Sequence, residues 1–565
     1  MLQWLRHYRR ALLPGDISAG IVVAMMMVPQ GMAYALVAGL PPVAGIYASI
    51  LPPLLYAVFG SSMTQSVGPM AIVSLMTAAA LAPLAVPGSG LYMVLAGQLA
   101  LISGAVLLLC GLMRIGFLAN FFSRPVMSGF TIGSAIVIAY GQVMPLLGAE
   151  LPHLHWPSAM LGIGSLAALI LAKQFLAPLL RRCGLRPDAA EIGARLAPML
   201  VVIGATVLVA VLDLQAAGVR TTGAVPQGLP GLNLATSSTH WRVLLQPALL
   251  IGFVIFLISM SAAQSLALKR QEKLHSNFEL IGLGAANIGS ALSGAFPVTG
   301  SISRSAVNFS AGANTPLASM ITSVLLAVAL VAPTGWLALL PLPTLAATII
   351  LAVLGMLELQ TLRTAWRYDR GDALALLVTA GGVLVLGVEA GVIIGVVLSM
   401  VTLIWRASRP HIAVLGRIAG TEHFRNIERY PAETVPTVLM LRIDANLFFG
   451  NVEAVNGRID DGLKSRPLVR DLVLVMSAVS SIDTSALFAL QELNQSLRQR
   501  GIGLHLAEVK GPVMDRLKEC DLLGKLNGKL FLSAVMAWDE LTAMAADPVS
   551  VAFRKTPAGT PEFHI

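Results

Sequence analysis

Apolar runs dominate the chain from about residue 16 to about residue 405, broken by Gly, Pro and short polar turns. A membrane-spanning helix needs about 20 apolar residues. Transmembrane strands would alternate apolar and polar positions over about ten residues. These runs do not alternate, so they predict helices. Fourteen spans are expected: 16–37, 42–60, 67–83, 91–113, 124–147, 157–180, 196–213, 243–266, 279–296, 299–311, 315–333, 343–358, 371–387 and 389–406. The runs 67–83 and 299–311 are too short to cross, and each is third in its set of seven. Short, Gly/Pro-interrupted segments at matching places in two halves point to a transporter with discontinuous helices.

The pattern changes after Arg409. Charged residues return at ordinary density, with strand-like runs "TVLMLRI", "DLVLVMS" and "GIGLHLAEV". Between them, "TSALFALQELNQSLRQR" places Leu487, Leu490, Leu493 and Leu497 at helical spacing. "KGPVMDRLKECDLL" predicts another helix. Strands alternating with helices indicate an α/β domain. The expected organisation is a transmembrane domain over 1–409, a connector over 410–435, an α/β domain over 436–545 and a tail over 546–565.

Composition agrees. Only 12% of residues are charged, 56% are hydrophobic, and mean hydropathy is +0.78. A soluble protein carries about 25% charged residues. The net charge of +9 invites a nucleic-acid reading, but the basic residues sit in short loops between apolar runs. With the N-terminus in the cytoplasm, the inside loops hold Arg114 and Arg124, a cluster from Lys173 to Arg195, Lys269 to Lys273, Arg363 to Arg370, and Arg406 with Arg409. The outside loops hold only Arg220 and Arg242. That asymmetry follows the positive-inside rule and puts the C-terminal domain in the cytoplasm. The basic start (Arg6, Arg9, Arg10) leads into a long run without a small-residue cleavage site, so no cleavable signal is expected. Cys110, Cys183 and Cys520 have neither metal spacing nor a disulfide framework. No phosphate-binding loop motif appears, so transport would be driven by gradients, without a cofactor or metal.

Two segments carry the chemistry. "SVGPMAIVSLM" (Ser66–Met76) and "FPVTGSISRSAVN" (Phe296–Asn308) each lead small and polar residues into a short helix. A helix N-terminus leaves backbone N–H groups free and carries partial positive charge. Two such ends meeting at mid-membrane make an anion site. Arg304 falls in the first turn of the second short helix, where an intramembrane cation marks a functional site. Ser301 and Ser303 suit helix capping as well as ligand contact.

The stretches "VPQGMAYALVAGLPPVAGIYASILPPLLYAVFGSS", "NFELIGLGAANIGSALSGAFPVTGSISRSAVN" and "VSSIDTSALFALQEL" resemble the SulP family of anion transporters, which includes pendrin and prestin. The resemblance covers nearly the whole chain. It implies a polytopic helical membrane protein built as a seven-plus-seven inverted repeat. Spans 1–4 and 8–11 would form a mobile core and spans 5–7 and 12–14 a gate. The tail would be a STAS domain, and the protein a homodimer in the inner membrane with both termini cytoplasmic. The anion would lie beside Gln30 and Tyr34 on the first span, Val67, Gly68, Pro69 and Met70 opening the third, and Ser301, Ile302, Ser303 and Arg304 opening the tenth. Gln30 and Tyr34 are one helical turn apart and also suit helix–helix packing.

Many coupled relatives carry an acid in the eighth span, in a pattern like F-L-E-S-I-S. Here the stretch reads "FLISMS", with Ile258 in the acid's place. Transport without sodium or proton coupling at that span is therefore expected. Glu279 and Asp16 are the nearest substitute acids, each expected at a span's edge toward the membrane surface. Met63 is a lesser departure, standing where many relatives have a basic residue. In "SIDTSA", Ser485 matches the position phosphorylated in anti-sigma antagonists; the alternative is a helix N-cap by Asp483 or Thr484. The expected function is secondary transport of sulphate, bicarbonate, chloride or a dicarboxylate by alternating access. A channel-like conductor, a nucleobase carrier of related fold and a membrane-tethered signalling protein are the competing readings. No nucleophile–base or metal constellation suggests an enzyme.

Overall fold

The computed structural model describes residues 4, 8–117, 123–148, 155–184, 190–191, 193–194, 196–223, 226–231, 240–332, 335–520 and 522–546. The chain forms two compact units, Met1–Ser399 and Met400–Ile565.

In the first unit the apolar runs become helices in the expected order. Spans 1 to 4 are Leu13–Val37, the broken pair Pro42–Tyr47 and Leu51–Phe59, Ala71–Leu81, and Gly90–Leu112. Spans 5 to 7 begin at Arg124, Trp156 and Ala197. Spans 8 to 11 are Trp241–Arg270, Ser276–Leu292, Ile302–Ser310 and Leu317–Val331. Spans 12 to 14 are Leu342–Leu354, Arg370–Leu386 and Val388–Ser408. Gly387, at φ +93, turns span 13 directly into span 14, a conformation that glycine adopts without a Cβ penalty.

Packing sorts these helices into two groups. Span 9 packs against spans 4 and 2, span 11 against span 1, span 8 against span 4, and span 10 against span 1. Span 12 packs against spans 6 and 5, and span 13 against span 5. The heaviest packing thus falls within the core and gate groups that the family resemblance implies, while span 12 also packs on span 1 and span 5 on span 3. Without a hydrophobic drive between helices in lipid, close backbone approach carries the packing. Spans 4 and 9 meet this way: a Cβ on Gly284 would lie 2.8 Å from the Gly104 carbonyl oxygen, and one on Gly104 2.9 Å from that of Gly284.

The two short helices shape the centre. Span 3 has 11 helical residues and span 10 has 9. The polar residues ahead of each do not join the helix. They extend instead into two-residue strands, β1 (Val67–Gly68) and β2 (Thr299–Gly300). The strands pair antiparallel, Val67 opposite Gly300 and Gly68 opposite Thr299. Extended backbone at membrane depth is tolerated when its polar groups are met by protein. Here the crossing pair meets them.

The second unit is a six-stranded sheet, with β3 (Ile412–Arg417), β4 (Phe424–Asn426), β5 (Val438–Ile443), β6 (Asp471–Val475), β7 (Gly503–Ala507) and β8 (Leu530–Phe531) in spatial order β4-β3-β5-β6-β7-β8. Strands β5 to β8 are parallel, and β3 is antiparallel to both its neighbours. Alternate residues fill two cores. Leu439, Leu441, Leu472 and Leu474 face helices Val452–Lys464, Thr484–Gln499 and Gly511–Glu519. Met440, Val473 and Val475 face Trp538 and Leu541 of helix Ala534–Ala546. Covering both faces is what a parallel sheet requires. Strands β3 and β4 lie in the stretch expected to be a connector. The apolar run of β3 is only four residues long and β4 has three residues, too short to stand out as strands. Of the expected tail, only Ala546 lies within the described residues.

Candidate anion-binding centre

The crossing strands bring the openings of spans 3 and 10 together. Ser301 N donates to Ser66 O at 3.1 Å, and Ser66 N donates to Ser305 Oγ at 2.9 Å. Asn308 Nδ2 donates to Thr64 O at 2.9 Å, and Thr299 Oγ1 to Ile255 O at 3.0 Å. Asn287 braces the approach, with Oδ1 accepting from Val298 N at 2.9 Å and Nδ2 donating to Val298 O at 3.0 Å. These bonds join spans 3, 8, 9 and 10 at one level. The helix of span 3 starts at Ala71 with Met70 as N-cap, and that of span 10 starts at Ile302 with Ser301 as N-cap. Ser301 Oγ accepts from Arg304 N at 3.4 Å, so the capping role of Ser301 is met.

Arg304 is 3% exposed. Its Nη1 donates to Pro69 O at 2.6 Å, across the strand pair. Its Nε and Nη2 are buried without a hydrogen-bond acceptor among the described residues. No carboxylate pairs with it there either. A buried cation in that condition is costly, and an anion supplied from outside removes the cost. Gly68 keeps the space beside the guanidinium open. A Cβ there would press on Met27 Cε and lie 3.3 Å from Arg304 Nη2.

The other expected residues fall around this point. Tyr34, buried on span 1, lies within electrostatic reach of Arg304. Gln30 is half-buried one turn before it. Pro69 and Met70 are buried at the opening of span 3. Ile302 and Ser303 are exposed on the first turn of span 10.

Span 8 borders the centre through its neighbour to the missing acid. Ile258 is buried. Next to it, Ser259 contacts Gln65 Nε2 through its hydroxyl, and its carbonyl oxygen accepts from the same nitrogen at 3.3 Å. Gln65 is wedged against Gly300, where a Cβ would collide with the amide nitrogen. Gln65, Ser305 and Asn308 were not foreseen from sequence. Each is an ordinary polar residue whose partner lies 194 to 244 positions away.

Glu279 and Asp16 lie at span edges, as expected, but are not open to the surface. Each is in the first turn of its helix, but both side chains are wholly buried. Glu279 Oε1 accepts from Ser61 N, Ser61 Oγ and Ser62 N at 3.0, 2.6 and 2.9 Å, and Oε2 from Tyr56 Oη at 2.7 Å. Asp16 Oδ1 accepts from Asn314 N and Thr315 N, and Oδ2 from Thr315 Oγ1. Both carboxylates are used up in holding loops, Glu279 the one after span 2 and Asp16 the one before span 11.

In the second unit, Asp483 caps helix Thr484–Gln499 by accepting from Ala486 N at 2.8 Å. Ser485 is exposed in its first turn. Asp444 is bonded by Arg442 and by His411 Nδ1, the latter at 2.8 Å. Burial alone would raise the Asp444 carboxyl, but these bonds and charges outweigh it and hold it below the usual carboxylate range.

Comparison with known proteins identifies the family and the fold. Residues 13–379 match the Sulfate permease family and residues 429–536 the STAS domain. The chain belongs to the sulfate permease family. It is 36% identical over 540 residues to a "Probable sulfate transporter" of Mycobacterium tuberculosis, covering 92% of this chain and 94% of that one. It is 36% identical over 534 residues to "Sulfate transporter 4.1, chloroplastic" of Arabidopsis thaliana, covering 89% and 76%. In fold it is similar to murine Solute Carrier 26 family member A9, with TM-score 0.84, 21% identity, and coverage of 97% and 94%. The transmembrane domain of a cyanobacterium bicarbonate transporter matches with TM-score 0.57 and 19% identity, covering 69% of this chain and 98% of that one. This sulfate permease family member is thus a multi-pass membrane protein with a C-terminal STAS domain, from a family of transporters rather than of enzymes.

Proposed function

We propose that this protein is a secondary transporter of a small anion, working by alternating access across the inner membrane. The observation that carries the reading is Arg304, buried between two helix N-termini with Nε and Nη2 lacking acceptors among the described residues. An oxyanion placed there would take those two donors and face the positive ends of spans 3 and 10. Gln30, Tyr34, Gly68, Pro69, Met70, Ser301, Ile302 and Ser303 would line its surroundings. Sulfate is the first anion to test, because the similar curated proteins carry that name. The working unit is a homodimer with cytoplasmic termini. Residues 1–409 serve as transport domain and 436–545 as regulatory STAS domain, whose sheet also takes in β3 and β4 from the 410–435 stretch, with Ser485 as a candidate control point.

Transport proceeds without sodium or proton coupling at span 8. Coupling needs a group whose occupancy changes the free energy of anion binding, and the effect is reciprocal. Ile258 cannot provide it, and Glu279 and Asp16 are committed to loop donors. The deciding experiment is uptake of sulfate, bicarbonate, chloride, oxalate and a dicarboxylate into proteoliposomes at clamped voltage, with sodium and proton gradients imposed separately. Saturable uptake of one anion, indifferent to both gradients, is expected. Accumulation that follows either gradient overturns the uncoupled reading. Absence of uptake for every anion overturns the transporter reading.

A further inference from the structure

Between spans 12 and 13 the chain forms a ten-residue helix, Leu359–Tyr368, which packs on spans 13 and 5. Its sequence, LQTLRTAWRY, has one buried residue, Ala365. Leu359 is 61% exposed, Trp366 57% and Tyr368 92%. Arg363 and Arg367 are exposed one turn apart. Among the described residues neither makes a hydrogen bond or an ion pair, although Glu358 and Asp369 flank the helix. Glu358 accepts from Thr361 Oγ1, and Asp369 caps span 13 through Gly371 N. Both arginines border a concavity of about 360 Å³ with Leu359, Leu362, Trp366 and Leu377 of span 13.

Such a helix has no reason to expose this much apolar surface to water. A helix with large aromatic and leucine side chains beside paired cations suits the plane of a membrane interface. Trp and Tyr concentrate at that level. An arginine fork fits a phosphate geometrically as well as electrostatically. We propose that Arg363 and Arg367 bind the phosphate of an anionic phospholipid. Trp366 and Leu377 line the path of its glycerol and upper acyl chain. Charge complementarity selects the occupant: two unpartnered cations above an apolar groove match an anionic head on an apolar tail. The helix is the link between spans 12 and 13, both in the gate group, so the lipid would hold that link against the membrane. This inference is independent of which anion is carried.

The test uses the full-length protein in zwitterionic nanodiscs and in nanodiscs doped with phosphatidylglycerol. Retained lipid is counted by native mass spectrometry, and thermal unfolding is followed as phosphatidylglycerol, phosphatidylcholine or inorganic phosphate is added in mixed micelles. Wild type should retain phosphatidylglycerol and be stabilised by it alone. The double variant Arg363→Gln/Arg367→Gln should bind it about tenfold more weakly, and Arg363→Lys/Arg367→Lys should fall between. Trp366→Ala should weaken retention without altering the preference for the anionic head. Size-exclusion behaviour and central anion binding of each variant check that it is folded. An equal response of wild type and the Gln variant to phosphatidylglycerol overturns the proposal. So does equal stabilisation by inorganic phosphate, which would mark a simple ion site. A change in oligomeric state with unchanged lipid retention would make this face a contact between copies, and also overturns it.

Discussion

Arg304 concentrates the electrostatics of the proposed centre in one side chain. Losing a buried charge from a site that depends on it typically costs about 2–5 kcal/mol of binding. Arg304→Gln is therefore expected to weaken anion binding by about 30-fold or more while the protein still inserts and elutes as wild type. Titration calorimetry on both proteins checks this; wild-type affinity in the folded variant would remove Arg304 from the site. Gly300 is the second sensitive residue. A methyl group there collides with Gln65 Nε2, and Ser259 Oγ leaves no room to retreat. Overpacking of this kind costs about 1–3 kcal/mol. Gly300→Ala should lower the unfolding temperature and weaken anion binding together, because the same displacement moves β2 and the opening of span 10. Unchanged binding in a destabilised protein would separate the strand crossing from the site.

At the scale of elements, half-helices joined through a strand crossing set the centre, and a smaller junction sets the start of the STAS sheet. In the latter, Asp444 follows β5 and is held by Arg442 of β5 and by His411 just before β3. Because its carboxyl titrates below the usual range when folded, it contributes stability above the unfolded value near pH 4. That contribution fades as pH falls through the lower, folded value. Asp444→Asn should lose it at neutral pH, by less than about 1 kcal/mol, since the partners are partly exposed. It should also flatten the acid limb of STAS unfolding. Amide exchange at β3 and β5 measured across that range provides the readout; an unchanged acid limb would show the cluster to be inert. The cluster is not apparent in sequence because Asp444 and His411 are 33 residues apart and meet only when β3 pairs with β5.

For the whole molecule, the division of labour is testable by truncation. The proposed anion centre lies entirely within the first unit, so removing the second should leave anion affinity in place while slowing transport or lowering expression. The position of the cut matters. Ending the chain near Pro436 would remove β5 and leave β3 and β4 without a sheet, an exposed edge prone to aggregation. Ending it after Arg409 removes β3 through β8 together. The shorter protein is expected to be the better behaved of the two, with anion affinity within about threefold of wild type. A well-folded 1–409 protein that binds no anion would show that the STAS domain shapes the site.

Hydropathy alone determined that the chain spans a membrane many times and ends in an α/β domain, since burial in lipid requires long apolar runs wherever they occur. The two short polar-to-apolar segments and Arg304 were equally legible, because a cation and helix-opening residues inside a membrane run stand out locally. What sequence could not decide were the pairings. Arg304 meets Pro69 across 235 residues, and Glu279 meets Ser61 across 218. Neither partner carries a charge or motif that announces the other. The burial of Glu279 and Asp16, the crossing of β1 with β2, and the entry of β3 into the STAS sheet all follow from such long-range contacts. Local periodicity specifies which face of an element is apolar; only the assembled fold specifies which donor each buried acceptor meets.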